Sequence, residues 1–349
     1  MATFNGQLKS NEIFASLFNL IINQQVFADN ISGTFSKLVD ASRVDGSMYG
    51  DTKLYYSTDA LKSSEWGNDA EATNLLAVSR PEAPEVQAIT VDTFRQIAVT
   101  VDNYLSKRAF ADEGTFSQFN QVMLGWLRDT KKIYDSTTFN VFAGTAESNV
   151  GNQNQTVELA MLSDNETKAQ AIAEKVANIL TELTDVTRDY NDYGHLRSYN
   201  LDDIIIVWNS EWYNKIRKHD LPTLFHKEGL IDKFGEYVLP ARYFGSNVEL
   251  GGGDAVGKRA YVEQVAEGHH YFAGDMMNGE LTGSPIYTPD DKIICKIMHK
   301  RSIPYMSGFE VATSFFNPKS LTENHYLTWG HNTLEYLKNY PMITLRTDM

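Results

Sequence analysis

The sequence predicts an α+β chain, because strand-type and helix-type hydrophobic patterns follow one another along it. In residues 89–101 apolar side chains occupy alternating positions, the period of a strand with one buried face. In residues 116–145 apolar side chains recur at spacings of three and four, the period of a helix packed along one side. After residue 247 short strand patterns dominate, separated by Gly, Pro and Asn turns. With 349 residues, of which 42% are hydrophobic, the chain can bury a sizeable core.

The first 50 residues predict a helix followed by an irregular arm. A helix capped by Ser10 carries Ile13 and Leu17 on a broad apolar side, and that side needs a groove to lie in. Residues 29–50 are rich in turn-forming types and predict an irregular segment. A strand over residues 53–57 follows, because apolar and polar positions alternate there.

The stretch 58–85 shows no sustained period and contains only isolated apolar residues such as Trp66 and Leu76. Such a long run without structure of its own is uncommon inside a compact domain. Because a strand pattern lies on each side of it, we predict the tip of a long projecting hairpin. A tip of this kind cannot bury its own apolar residues, so we expect a neighbouring subunit to cover them. A flexible surface insertion is the alternative.

The return strand leads into one long helix. The alternation of residues 89–101 is broken at Phe94 and Arg95. Thr115 with the following Gln118 fits a capping box, and Gly144 offers a stop, so the helix is expected to run roughly 40 Å. Its predicted buried side is formed by Phe116, Phe119, Val122, Met123, Trp126, Leu127, Ile133 and Tyr134.

The remaining elements predict a mixed α/β segment followed by strands. Residues 146–155 are polar and mark a plausible domain boundary. Asp164 is placed to cap a helix, residues 204–208 form a continuous apolar run typical of a strand buried on both faces, and Ser210 is placed to cap a short helix. The later strands are predicted at 260–265, 270–273, 292–299, 309–316, 324–329 and 342–346.

Composition limits the classes of function. The chain has 45 acidic and 31 basic residues and a net charge of −14, which disfavours sequence-specific nucleic-acid binding. The single cysteine, Cys295, excludes an internal disulfide framework. No segment reaches the length of a membrane span, and residues 13–27 do not make a convincing signal peptide, so we expect no membrane partner and a cytoplasmic product.

Sequence motifs for catalysis, nucleotide binding or metal binding are weak. Residues 252–259 read GGDAVGKR and reproduce most of a P-loop, but Arg259 stands where a hydroxyl should bind Mg²⁺, and a strand pattern follows. A P-loop nucleotide-binding enzyme therefore stays as an alternative from a different class. The histidines show no zinc-site spacing, and Asp185, Asp189 and Asp192 are interpreted as a solvated helix end. We predict no catalytic residues, no cofactor and no metal site.

The order of elements resembles the major capsid protein of tailed bacteriophages, the Hong Kong 97-type fold. TVDTFRQIAVTVDNY at 90–104 resembles the returning strand of that family, residues 116–145 resemble its spine helix, and DIIIVWNS at 203–210 resembles the core of its axial domain. The resemblance implies an N-terminal arm at 1–50 and an extended loop at 51–90. It also implies a peripheral domain at 91–155 plus 301–349 and an axial domain at 156–300.

The resemblance further implies an icosahedral shell of hexamers and pentamers around the DNA genome, with DNA contacted non-specifically. A portal and a separate scaffold protein are the other expected partners, and no enzymatic activity is expected. An encapsulin-type compartment shell of the same fold is a second alternative. The residues expected at contacts between subunits are Ile13, Leu17, Phe27, Trp66, Leu75, Leu76 and Arg80.

Overall fold

The computed structural model describes residues 37–45, 52–63, 80–102, 113–217, 235–246, 276–277, 280–281, 288–332 and 334–349. The helix predicted after Ser10, the loop tip at 64–79, the P-loop-like residues 252–259 and the strands predicted at 260–265 and 270–273 lie outside these ranges.

The described chain contains both helices and strands, as the α+β prediction expects. The helices are α1 (Lys37–Ala41), α2 (Glu113–Thr145), α3 (Asn165–Thr184) and α4 (Ser210–Arg217). The first strands are β1 (Arg43–Asp45), β2 (Thr52–Ser57), β3 (Glu85–Asp102), β4 (Asn154–Val157), β5 (Ile204–Asn209), β6 (Gly235–Leu239) and β7 (Gly245–Ser246). The later strands are β8 (Met276–Met277), β9 (Glu280–Leu281), β10 (Thr288–Pro289), β11 (Ile293–His299), β12 (Tyr305–Asn317), β13 (Thr322–Asn332) and β14 (Met342–Thr347).

One five-stranded sheet, here called the long sheet, has the order β1-β12-β13-β3-β2. Strand β3 is 18 residues long and serves two partners. Its first part pairs with β2, from Ser57 opposite Glu85 to Thr52 opposite Thr90, and its second part pairs with β13. The hairpin predicted on either side of residues 58–85 is therefore confirmed at its base, where β2 and β3 are antiparallel neighbours.

A β-bulge explains the broken alternation in β3. His331 of β13 lies opposite Thr93, while the next residue, Asn332, lies opposite Val91, so β3 contains one extra residue at this point. The extra residue reverses which positions face each side. Phe94 accordingly packs in the same cluster as Val91, whereas the odd positions after the bulge pack toward α2.

Helix α2 crosses one face of the long sheet. Its 33 residues, Glu113–Thr145, span about 50 Å at about 1.5 Å per residue, longer than the roughly 40 Å predicted. Thr115 therefore lies inside the helix, and the capping box predicted there is wrong. Leu127 is buried as expected, but Trp126 and Ile133 are 40% and 42% exposed, so the predicted buried side was too wide.

The second five-stranded sheet, here called the central sheet, has the order β4-β14-β11-β5-β6 and holds the main core. Every residue of β5 is buried, which confirms the prediction of a strand covered on both faces. Ile206 and its alternate neighbours pack with α3 and α4, whereas Ile205 and Val207 pack with α1 and the end of α2.

Two segments that were predicted to be an irregular arm and a polar linker are packed into the body. Within residues 29–50, Leu38 and Val39 of α1 are buried, and β1 runs parallel to β12. Residues 146–155 were predicted to be a polar linker, but Gln153 is fully buried and its side-chain oxygen accepts a hydrogen bond from the Met342 backbone N–H at 2.8 Å. Burial of a polar group needs such a partner, so this segment is part of the fold.

The termini of the predicted elements differ in small ways. Helix α3 starts directly after Asp164, although that side chain makes no capping hydrogen bond. Helix α4 includes Ser210, and the cap is Asn209, whose side-chain oxygen accepts from the Glu211 N–H at 3.1 Å. Strand β14 closes the central sheet as predicted, pairing with β11 and β4, so a division of the chain at residue 300 separates β14 from its partners.

No helix among the described residues is long and apolar enough to cross a membrane. Cys295 lies in β11 and is fully buried.

Candidate functional site

Of the seven residues expected at subunit contacts, only Arg80 belongs to the described chain, and it is exposed. The other six are Ile13, Leu17, Phe27, Trp66, Leu75 and Leu76, and they lie outside the described residues. Their role at contacts between subunits therefore stays a prediction. The surfaces that the structure does describe around the hairpin and the long sheet provide the candidate site.

The base of the hairpin exposes a surface without charged side chains, here called the hairpin face. Leu54 and Tyr56 of β2 are 52% and 64% exposed, and Val86, which lies opposite Tyr56, is 49% exposed. Thr52 and Thr90 complete this face through a hydroxyl–hydroxyl hydrogen bond of 2.9 Å. Large apolar side chains grouped in this way on an exposed hairpin are typical of a contact surface.

The hairpin base is fastened to the body by a polar cluster, here called the hairpin clamp, formed by Ser57, Asp59, Arg188, His195, Arg197 and Asn339. Arg197 reaches across to the end of β2, where its Nη2 donates to the Thr58 carbonyl at 2.6 Å and to Ser57 Oγ at 3.2 Å. Its Nε donates to Asn339 Oδ1 at 3.1 Å. One guanidinium therefore joins three separate segments of the chain.

Asp59 is the second anchor of the hairpin clamp. Its Oδ1 accepts from the Leu196 N–H at 2.9 Å, and its Oδ2 accepts from Arg188 Nη1 at 2.6 Å. The Leu196 N–H, followed by the Arg188 side chain, holds the pKa of the Asp59 carboxyl well below its usual range. The carboxylate thus stays charged at neutral pH and binds the loop between α3 and β5.

The hydrogen bonds also indicate which ring nitrogen of His195 carries a hydrogen. Arg197 Nε can only donate, so Asn339 Oδ1 must face it, and the Ser57 hydroxyl donates to the same oxygen at 2.7 Å. Ser57 has no second proton to give, so His195 Nδ1, at 2.7 Å from Ser57 Oγ, must carry the hydrogen of that bond. One arrangement of hydrogens therefore accounts for the bonds among Ser57, His195, Arg197 and Asn339.

The long sheet presents a second uncharged surface on the side opposite α2. The strand registers align three rows across β3, β13 and β12, and no row contains a charged residue. Phe315, the largest exposed side chain of this set, is 61% exposed. We call this surface the uncharged face, and its members are Gln96, Ala98, Thr100, Thr328, Tyr326, Asn324, Val311, Thr313 and Phe315.

Cross-strand hydrogen bonds hold the uncharged face rigid. Gln96 Nε2 donates to Thr328 Oγ1 at 2.9 Å, and the Thr100 hydroxyl donates to Asn324 Oδ1 at 2.6 Å. These pairs satisfy polar groups within the sheet, so less hydrogen bonding to water is lost when another surface covers them.

A basic cavity of about 320 Å³ lies between α2, β1 and β12. Four basic and two acidic residues line it, together with Val39. Lys131 is engaged within the wall, at 3.4 Å from Asp135 and 3.0 Å from Glu310. The cavity is a local exception to the strongly acidic balance of the chain.

The interpretation of Asp192 as part of a solvated helix end is wrong. Its Oδ1 accepts from Ser148 at 2.6 Å and from Gln153 at 2.7 Å, and its Oδ2 accepts from the Tyr336 hydroxyl at 2.5 Å. Asp192 therefore joins residues 148–153 to the segment before β14. Sequence spacing misses this role because the partners are distant along the chain.

Lys296 supplies a further internal connection. It is fully buried, and its ammonium donates to the Ala146 carbonyl at 2.9 Å and to Thr344 Oγ1 at 2.8 Å. Burial lowers its pKa to about 8, and the nearby Glu147, which also pairs with Arg346, opposes that decrease. These contacts tie the end of α2 to the central sheet and account for the lysine structurally.

The described histidines form no metal site, in line with the absence of any potential metal-binding group of three His, Cys, Asp or Glu in the described ranges. His331 lies at 3.1 Å from the Tyr134 hydroxyl, and His325 lies at 3.9 Å from Glu323. His299 Nδ1 accepts the Arg301 N–H at 3.0 Å, and its ring stacks on Tyr340 with centroids 4.3 Å apart. Burial lowers the pKa of His299 to about 4.

Comparison with known proteins gives a consistent result. Residues 3–344 match the family model of the Phi29-like phage major capsid protein. A chain from the capsid structure of Staphylococcus phage Andhra is similar with a TM-score of 0.61 at 11% identity, covering 93% of this chain and 87% of that chain. A chain from the structure of the head fiber and inner core protein gp22 of native bacteriophage P68 has a TM-score of 0.59 at 11% identity, with the same coverage. No curated protein matches the chain.

Acid should destabilise the subunit through His299. Its folded pKa of about 4 lies below the ordinary histidine pKa of about 6.5, so between these pH values the unfolded chain binds the extra proton, and stability falls as the pH falls. His299→Phe should keep the stacking on Tyr340 and make urea unfolding midpoints less dependent on pH in this window. Equal pH dependence in the wild-type chain and His299→Phe would contradict the assignment.

Proposed function

The chain belongs to the Phi29-like phage major capsid protein family, and from that premise we propose how its surfaces build a shell. It is a phage major capsid protein with the Hong Kong 97-type α+β fold that the sequence predicted. Such proteins associate with copies of themselves in the virion capsid, and the family is structural. Neither the encapsulin-type shell nor the P-loop enzyme is favoured by the match to a phage family. We further propose that the chain has no enzymatic activity.

The hairpin, in this proposal, carries the loop tip onto an adjacent subunit. The support is the pairing of β2 with β3, which brings both ends of the loop together at one exposed end of the long sheet. The tip itself contains Trp66, Leu75 and Leu76, and the arm contains Ile13, Leu17 and Phe27. Each group is apolar and would be covered by a neighbouring copy, with Arg80 at the rim of the loop contact.

The uncharged face is proposed to be covered by a second copy of the chain. In a protein with 22% charged residues and a net charge of −14, most surfaces of two copies repel each other. A surface of nine uncharged positions avoids that repulsion, and Phe315 provides apolar area for burial. This is the observation that most directly supports self-assembly from the described residues.

We propose a division into two domains, each built around one of the two five-stranded sheets. We propose that α2 and the long sheet form the peripheral domain, and that the central sheet with α3 and α4 forms the axial domain. Strand β14 would then belong to the axial domain, since its partners are β11 and β4. Residues 37–45 would belong to the body, which shortens the arm to residues 1–36.

The wider assembly is proposed by analogy with capsids. Hexamers and pentamers of this chain would form an icosahedral shell in the bacterial host cytoplasm, aided by a portal and a separate scaffold protein. Packaged DNA would be contacted non-specifically. The acidic balance supports this, because a surface that repels phosphate lets the genome enter and leave without tight binding.

Deleting residues 60–80 tests the role of the loop. The deletion should leave a soluble, folded subunit, since the main core lies in the central sheet, but closed particles should not form. Circular dichroism would check the fold, and negative-stain microscopy would count closed particles. Normal shells built from the deleted chain would refute the role of the loop.

Placing a charge on the uncharged face tests the second surface. Phe315→Asp should fold normally, because the side chain is 61% exposed, yet its assembly should be strongly reduced because a carboxylate would be buried without a partner. The matched control is Met161→Asp, which adds the same charge at an apolar side chain that is 92% exposed outside the long sheet. Light scattering of purified subunits measures both. Equal assembly of the two variants would show that the uncharged face is not a contact.

A further inference from the structure

We propose that Asp59 and Arg197 are positioning residues that fix the direction in which the hairpin leaves the subunit, and thereby the curvature of the shell. The inference rests on the proposed function, because direction matters only if the hairpin reaches a neighbour. It concerns the hairpin clamp, which lies between the base of the hairpin and two segments of the body.

The clamp contacts lie where the regular pairing of the hairpin strands ends. Strand β2 ends at Ser57, and the last backbone pair with β3 is Ser57 opposite Glu85. The clamp holds Ser57, Thr58 and Asp59, the three residues at which regular pairing stops. Nearer the body, Tyr55 packs against the cluster that includes Leu337, and the Gln87 side chain bonds to the backbone of Tyr336 and Lys338. The clamp contacts lie beyond these, where the paired strands end, so they set the angle of the part of the hairpin that projects.

The body residues of the clamp are carried by a loop that is braced by its own hydrogen bonds. The loop from α3 to β5 is closed by the buried Asn191, whose side chain donates to the His195 carbonyl at 2.6 Å and accepts the His195 N–H at 2.8 Å. The Arg197 backbone also forms a two-way bridge with Thr187, with both N–O distances at 2.9 Å. A side chain mounted on such a loop holds its position and can orient the hairpin.

Among the described residues of the hairpin, one ion pair, Lys62 with Glu82, lies farther out than the clamp. Lys62 and Glu82 lie 3.6 Å apart with side chains 86% and 82% exposed, so this pair contributes little to the orientation. The clamp is better shielded, because the Asp59 side chain is only 17% exposed and is bound by two donors from the body. Orientation is therefore determined at the base of the hairpin.

The direct test measures hairpin orientation in the full-length, unassembled subunit. Spin labels would be attached at Leu61→Cys on the hairpin and Glu174→Cys on α3, both exposed positions, while the buried Cys295 stays unlabelled. The distance distribution should be narrow in the labelled parent and clearly broader after adding Asp59→Asn with Arg197→Gln. Adding Lys62→Gln is the matched control and should leave the distribution narrow. An unchanged distribution in the clamp variant would overturn the proposal.

The second readout is the shell. Particles of the clamp variant without labels should lose their uniform diameter in electron micrographs, while the Lys62→Gln particles keep it. If the double variant fails to fold, Asp59→Asn alone, which preserves the shape of the side chain, is scored in the same two ways. Uniform shells from a clamp variant that does fold would overturn the inference. If deletion of residues 60–80 also gives normal shells, the proposed role of the loop fails instead, so the two failures are distinguishable.

Discussion

The continuity of one strand, β3, is the constraint on which the rest of the structure depends. Its first residues pair with β2 in the hairpin, and its later residues pair with β13 in the long sheet. Because the same backbone serves both, the hairpin is an extension of the body sheet and not a separate loop. The bulge between Val91 and Thr93 lies where one partner ends and the other begins, and it turns the strand so that each part buries its own side.

The distribution of charge distinguishes the two surfaces proposed to contact other copies of the chain from the remaining described surface. Ion pairs such as Lys131 with Glu310 and Lys300 with Asp203 lie on or near the exterior of the body. The hairpin face around Leu54 and Tyr56 and the uncharged face of the long sheet contain no charges. With a net charge of −14, association of identical subunits requires contacts where repulsion is weakest.

Local patterns in the sequence predict the elements well, whereas contacts between distant residues escape them. The buried run of β5 and the existence of helix α2 follow from neighbours along the chain, and both are confirmed, although the buried side of α2 is narrower than its sequence period predicted. The uncharged face joins Ala98, Thr313 and Tyr326, which become neighbours only through strand register. The clamp joins Ser57 to Arg197 and Asn339 in the same way. Six of the seven residues in the predicted contact set are apolar, the exception being Arg80, and the set contains none of the clamp residues.

The most direct test of the central claim is an electron cryomicroscopy map of shells assembled from the purified chain. The account predicts that β2 and β3 continue straight from the long sheet and that Leu54, Tyr56 and Val86 are buried against a different subunit. A map in which these three side chains are covered by residues of their own chain, or stay exposed in the closed shell, would contradict it.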